Sequence, residues 1–333
     1  MTTRSGAVTL VLLGVLGCGQ ASDAEAALPE AGAAAASLAE HRDHGPRRRD
    51  RRVEYLERFY RHFSDEREFA LAVSLPEDMT WNVTGWRTEV VPFAGAYVGR
   101  RAIWEHFRDY FGAIDVLRYR FEYKLADAEH VSWHFRLTGR VPSTGKTFDA
   151  GFVHVWKFGE DGRPVTCRTY YDTQLLAEAF TVGGPRRLAD RRDPDDDHQV
   201  RSTPYDVEAL VAQVYDRFYG GDIPGVFAML SEEAAVYFQG GDNPQSGEYH
   251  GFDGLLQFVM NLAGTARPDA IERFFVTEGD RTDVVLFEHW TVYATGKSYH
   301  VHTVNSWRVD AQGKLLGFVN YPDVDEVAAA YVP

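Results

Sequence analysis

Glu288, Thr303 and Asn320 stand on three successive apolar segments, at positions that alternation assigns to one side. Side chains along a strand point to opposite faces in turn. Val284, Leu286, Glu288, Trp290 and Val292 therefore share a face, as do Tyr299, Val301, Thr303, Asn305 and Trp307, and then Leu316, Phe318 and Asn320. Folding these segments as hairpins is expected to set Glu288, Thr303 and Asn320 directly opposite one another. A carboxylate on an apolar face is costly, and the usual response is a raised pKa. That is the property a general acid or base needs near neutrality. Thr303, Asn305 and Asn320 would then orient Glu288 or hydrogen-bond a substrate oxygen, and Tyr237 and Gln239 would join them from a short earlier strand. The alternative is a satisfied polar patch at a pocket mouth, without chemistry.

Histidines supply two further constellations. His154 is the ionisable residue on the apolar face Phe148, Ala150, Phe152, His154, Trp156 and Phe158. A neutral imidazole there is a catalytic candidate at pH 7, with Trp81 and Tyr97 as expected neighbours; the alternative is a satisfied core histidine. His289, His300 and His302 fall on the outer face, with His289 expected opposite His302. Three imidazoles so placed suit Zn²⁺ or Cu²⁺. No carboxylate or cysteine completes the set, so histidines buried at an interface are the favoured expectation and no metal is assigned.

The elements that position these residues occur twice. Tyr97-Val98-Gly99 matches Tyr249-His250-Gly251, and Thr144-Gly145-Lys146-Thr147-Phe148 matches Thr295-Gly296-Lys297-Ser298-Tyr299. From Gly145 onward the offset is constant (296 − 145 = 151; 323 − 172 = 151). A fold has been duplicated. The first copy is expected over 53–180 and the second over 205–333, with 181–204 as linker. In each, helical periodicity comes first (Val53, Leu56, Phe59, Tyr60, Phe63; then Val207–Phe218), and long alternating segments follow. Helices followed by antiparallel hairpins indicate an α+β class. The first-copy counterparts of Glu288, Thr303 and Asn320 are Leu137, Phe152 and Thr169, so the second copy has exchanged greasy positions for polar ones.

Two stretches, AGAYVGRRAIWEHF and TGKTFDAGFVHVWKFGEDGRPVTCRTYYD, resemble the SnoaL-like branch of the NTF2-like superfamily. SGEYHGFDGLLQF and TGKSYHVHTVNSWRVDAQGKLLGFVNYPD resemble it again. The resemblance implies two tandem cystatin-like cones, each a curved antiparallel sheet wrapped around helices and enclosing a pocket. It also implies one of several activities, among them ketosteroid isomerase, polyketide cyclase, dehydratase and limonene-type epoxide hydrolase, or binding and scaffolding alone; fold does not choose between them. Against the epoxide hydrolase pattern, Tyr237-Phe238-Gln239 and Leu286-Phe287-Glu288 are placed like its first two elements. Leu286 stands where that pattern has arginine and Asn320 where it has an acid, which makes any such activity a degenerate one. A small, mostly apolar molecule is the expected ligand. Its expected contacts are Tyr237, Gln239, Tyr249, Trp290, Tyr299, Asn305 and Trp307 in the second copy, and Trp81, Tyr97, Phe152 and Trp156 in the first. The family's usual dimer implies that the two copies pack as a pseudo-dimer.

The first 17 residues carry Arg4, then the short apolar run Ala7 to Leu16. That run is too short for a mature membrane span and reads as an export signal. Val15-Leu16-Gly17-Cys18 resembles a bacterial lipobox, implying a lipid on Cys18, a tether over 18–52 and attachment to the cell envelope; a secreted soluble protein is the alternative. Cys167 is the other of two cysteines, so no internal disulfide framework is expected. A net charge of −14 argues against nucleic acid as a partner. No glycine-rich phosphate loop is present, and no cofactor is expected.

Overall fold

The computed structural model describes residues 50–64, 68–85, 90–192, 198–240, 243–323 and 325–333. Cys18 and nearly all of the expected tether lie outside them. The first half runs α1 (Arg51–Ser64), α2 (Glu68–Ser74), β1 (Thr80–Val83), β2 (Gly95–Val98), α3 (Arg100–Ala113), β3 (Asp115–Ala126), β4 (His130–Val141), β5 (Lys146–Phe158), β6 (Pro164–Tyr170), α4 (Thr173–Phe180) and β7 (Arg187–Ala189). The second runs α5 (Val207–Tyr219), α6 (Ile223–Met229), β8 (Leu230–Phe238), β9 (Gly247–His250), α7 (Gly251–Thr265), β10 (Ala266–Glu278), β11 (Arg281–Val292), β12 (Ser298–Val309), β13 (Leu315–Pro322) and α8 (Asp325–Tyr331).

Strand order in the first sheet is β2-β1-β6-β5-β4-β3, and in the second β10-β11-β12-β13-β8-β9. Read from the other edge, the second order is the first repeated strand for strand. The duplication is thus carried by topology as well as by motif, and the class is α+β.

Each sheet covers the apolar stripe of its first helix. Leu56, Phe59, Tyr60 and Phe63 of α1 are buried against Trp133, Phe135, Phe152 and Trp156. Val207, Val211, Val214 and Tyr215 of α5 pack with Val284, Leu286, Trp307 and Phe318. Asp206 caps α5, its carboxylate accepting the Ala209 N–H at 3.0 Å, which satisfies a donor that the helix start leaves open.

Alternation assigned Glu288, Thr303, Asn305 and Asn320 to the right face and to the wrong rungs, whereas Leu316, expected on the concave face, gives its place to buried Leu315. Glu288 pairs with Val301, Leu286 with Thr303, Thr303 with Pro322, and Asn305 with Asn320. Each hairpin has slipped by two residues from the expected rung. An even slip keeps every side chain on its face, so the polar groups still enter the concave side, but along a diagonal. The outer face slips likewise, so His289 stands opposite His300, and His302 opposite Phe287. In the first sheet Phe135 pairs with Phe152, and His154 with Thr169.

Between Leu315 and Gly317 the ladder from β13 to β8 is irregular. Gly317 has φ +94°, and a Cβ there would lie 1.7 Å from the Ala235 carbonyl oxygen. Only glycine admits so close a backbone approach.

The outer faces carry their own apolar residues. Tyr123, Leu125, Val153, Val155 and Tyr170 of the first sheet cluster with Val276, Val285, Val304 and Tyr321 of the second. His134 Nε2 lies 2.7 Å from Asp283 Oδ2, both side chains fully buried. Ser306 Oγ donates to Asp283 Oδ1 at 2.7 Å. Burial pushes the Asp283 carboxyl up, but the His134 charge and hydrogen bonds from His134, Ser132 and Ser306 outweigh it, and the pKa ends below the ordinary value.

The segment 181–204, expected as a plain linker, is partly built into the fold. β7 adds to β5 in parallel. The buried Asp190 carboxylate accepts from Arg136 at 2.8 Å and from the Gly151 N–H. Arg136 also bonds Asp149 at 2.9 Å.

Candidate functional site

The concave face of the second sheet, with α5, α6 and α7, encloses about 1080 Å³ of empty space, its open mouth included. The walls are mostly apolar and aromatic: Phe218, Phe227, Phe258, Trp290, Trp307 and Phe318. Polar groups come from Tyr215, Tyr219, Gln245, Glu288, Tyr299, Thr303, Asn305 and Asn320.

Glu288 is partly exposed and lines this space. Its Oε1 accepts the Tyr219 hydroxyl at 2.9 Å. Burial pushes its pKa from the ordinary 4.5 up to about 7, against the opposing effect of hydrogen bonds from Tyr219 and Trp290. Burial, and then the Glu288 charge, drive the Tyr219 hydroxyl well above its ordinary value, so it remains a donor.

Thr303, Asn305 and Asn320 form a separate network. Asn320 Nδ2 donates to Thr303 Oγ1 at 2.7 Å and to Asn305 Oδ1 at 2.8 Å. Thr303 Oγ1 donates to the Tyr321 carbonyl at 3.1 Å. Asn305 Nδ2 and Trp307 Nε1 both donate to the Tyr215 hydroxyl, at 2.8 and 3.2 Å. Asn320 Oδ1 is buried without a partner. The expectation that this trio orients Glu288 is corrected: Tyr219 does so, four residues beyond Tyr215 on the same face of α5. That i, i+4 tyrosine pair was the available signal, and the apolar reading of the helix passed over it.

The first cone repeats the Tyr215 arrangement and fills the space around it. Trp156 Nε1 donates to the Tyr60 hydroxyl at 3.0 Å, and that hydroxyl lies 2.7 Å from His154 Nδ1. An indole N–H can only donate, and the direction of the Tyr60–His154 bond follows the imidazole tautomer. Tyr60 stacks on Trp133 at 4.6 Å. The remaining space, lined by Trp81, Phe135, Phe152 and His154 among others, is about 330 Å³. Burial and, next, the neighbouring His106 push the His154 pKa down to about 3. It is a neutral imidazole at pH 7, bonded to Tyr60 among the core aromatics.

The other expected residues divide. Trp290, Tyr299, Asn305 and Trp307 line the large cavity. Tyr237 and Gln239 do not, because β8 pairs Val236 with Phe318 and so turns Val236 inward and Tyr237 outward. Gln239 is buried and bonds the Arg191 carbonyl at 3.1 Å. Tyr249 is a core residue whose hydroxyl donates to the Gln245 carbonyl at 2.9 Å. Trp81 and Phe152 border the small first-cone space, Trp156 is core, and Tyr97 lies against His106 with ring centres 4.5 Å apart. The His289 and His300 rings are 4.7 Å apart, and His302 meets Phe287 edge-on at 5.1 Å. No group of three or more metal-ligating side chains suited to an ion occurs among the described residues.

Residues 49–166 match the SnoaL-like domain family. No curated protein matches the sequence. Among solved structures, an NTF2-like protein from Burkholderia xenovorans is 25% identical, over 39% of this chain and 95% of that chain, with a TM-score of 0.33. Bal32a from a soil-derived mobile gene cassette is 25% identical over 39% and 96%, with a TM-score of 0.34. A protein of ketosteroid isomerase-like fold from Catenulispora acidiphila, in complex with trimethylamine, is 12% identical over 39% and 94%, with a TM-score of 0.33. The match to the SnoaL-like domain family spans residues 49–166, and a second sheet of the same strand order follows in the chain.

Proposed function

We propose that the second cone binds a small, mostly apolar molecule and that Glu288 moves a proton on it. The reaction class is isomerisation, cyclisation, dehydration or hydration of a substrate bearing a carbonyl or epoxide oxygen. The observation that carries this is Glu288 itself, a carboxylate in an aromatic cavity, poised near pH 7 and held by the Tyr219 hydroxyl. A group that half-ionises at the working pH both takes and returns a proton. The first cone, filled by its own aromatics, serves as a structural partner, and the two outer faces meet as an intramolecular counterpart of a family dimer.

A carrier without turnover is the second reading. It is favoured by Thr303, Asn305 and Asn320 bonding one another rather than Glu288. Epoxide hydrolysis is the least supported, since buried Leu286 and Asn320 leave Glu288 without the arginine and second acid of that relay.

Binding is tested with N-phenyl-1-naphthylamine, an apolar fluorophore, by quenching of Trp290 and Trp307. Thr303→Phe restores the first-copy residue and fills the cavity. It is expected to weaken uptake at least about tenfold; unchanged uptake would place the ligand elsewhere.

We also propose that Cys18 carries a lipid anchoring the chain to the bacterial envelope. The motif preceding that cysteine supports this, and acyl burial holds about 0.8 kcal/mol per CH₂. Wild type is expected in the detergent phase and Cys18→Ala in the aqueous phase; equal partitioning would remove the anchor.

A further inference from the structure

The first cone is not uniformly apolar inside. Trp81, His106 and Thr169 all line its small space. Trp81 Nε1, His106 Nδ1 and Thr169 Oγ1 are each buried without a hydrogen-bond partner among the described residues. They come from three elements, β1, α3 and β6. Thr169 stands opposite His154 on the neighbouring strand. The Trp81 ring meets the His154 imidazole edge-on at 5.2 Å and lies 6.1 Å from the His106 ring. The unmet groups therefore gather around His154.

Register shows that this set is particular to the first cone. Trp81 pairs with Tyr97 as Val236 pairs with Tyr249. His106 follows Gly99 at the same distance as Phe258 follows Gly251 (106 − 99 = 7; 258 − 251 = 7). Val236 and Phe258 thus hold the matching positions in the second cone, and the first carries an indole N–H and an imidazole where the second is apolar.

A buried polar group without a partner costs free energy. An indole N–H only donates, a threonine hydroxyl does both, and a neutral imidazole has one accepting nitrogen. Burial pushes the pKa of both His106 and His154 down to about 3. Both rings are neutral at pH 7, so a charged occupant would meet no opposite charge from them. An apolar occupant would leave all three groups unmet. A single hydroxyl both donates and accepts, and a buried water ordinarily makes about three such bonds.

We propose that the first cone binds a small neutral hydroxylic molecule, water or a short alcohol, that bridges Trp81, Thr169 and His106. This site is separate from the large cavity of the second cone and does not depend on proton transfer there.

The test is NMR of the full chain labelled with ¹⁵N-tryptophan. The Trp81 indole signal is identified by its loss in Trp81→Phe. In wild type it is expected to show a nuclear Overhauser cross-peak to water. Thr169→Val keeps the shape of the side chain and removes the hydroxyl, so a cross-peak relayed by that hydroxyl would vanish while one from bound water stays. Titration with ethanol separates the two sources. A saturable shift of the Trp81 signal with loss of the water cross-peak assigns the site to an alcohol, and an unmoved signal assigns it to water. Thr169→Val is also expected to raise the unfolding equilibrium constant about tenfold, because a bridged hydroxyl is lost; removing a hydroxyl that truly lacks a partner would lower that constant. Uptake of N-phenyl-1-naphthylamine in the second cavity is expected unchanged in both variants and reports that they are folded. A Trp81 indole that contacts neither water nor alcohol, a cross-peak lost in folded Thr169→Val, or a lowered unfolding constant in that variant would each overturn the proposal.

Discussion

Glu288→Gln is expected to lower proton-transfer turnover by roughly 10²- to 10⁴-fold, the usual contribution of a positioned general acid or base. Glutamine keeps the shape and the bond to Tyr219 but holds no exchangeable charge. The wild-type rate should also show an inflection near pH 7, set by the Glu288 pKa of about 7, which the variant lacks. A check that needs no substrate is ¹³C NMR of glutamate-labelled protein, in which one side-chain carboxyl should titrate near pH 7 and vanish in the variant. Stability follows from the same shift. The folded pKa of about 7 lies above the ordinary 4.5, so the native state holds the proton more tightly. This contribution is fully present below about pH 4.5 and lost as pH rises through about 7. At pH 8 the glutamine variant should therefore be the more stable one, by on the order of 2 kcal/mol once solvent in the cavity is allowed for. A carboxyl that titrates near its solvent value, with turnover untouched, would remove acid–base chemistry from this cavity.

Asp283→Ala is expected to destabilise the fold by about 3–5 kcal/mol, the cost of stranding the partner of a buried pair. Both members are fully buried at a 2.7 Å separation, one on each sheet. The Asp283 pKa is depressed in the fold, so its contribution is present above the ordinary 3.8 and lost as pH falls through the folded value. Replacing both partners by apolar residues, as in His134→Phe with Asp283→Val, should recover most of the loss, because no charge is then left without a counterpart. Denaturant unfolding of the single and the double variant at pH 7 decides this. A single variant within about 1 kcal/mol of wild type would show that the pair does not hold the sheets together.

The sequence made faces legible and distances illegible. Period-two alternation depends only on parity, so Glu288, Thr303 and Asn305 were assigned to the concave side even though both hairpins slip by two residues. Which side chains touch depends on the slip itself, and that is fixed by turn length and by the irregularities near Trp307 and Gly317. The partner of Glu288 was therefore misassigned. Tyr237 and Gln239 failed for a different reason, since the face of β8 is set by its parallel pairing with distant β13 and no local pattern encodes that. β3 and β10 escaped notice because they are edge strands that carry Arg118, Arg120, Glu272 and Arg273 amid the apolar residues. Asp190 looked like part of a charged connector, yet it is buried against Arg136, and only the fold brings that partner within reach.

One cone is packed with its own rings and the other is hollow. In an assembly of identical chains, every substitution appears in both cavities at once, so a residue that stiffens one would also plug the other. Joining the halves into a single polypeptide lifts that constraint. Phe152 and Thr303 answer to each other by position but not by inheritance of function, and rigidity has been allotted to one half while vacancy is kept in the other.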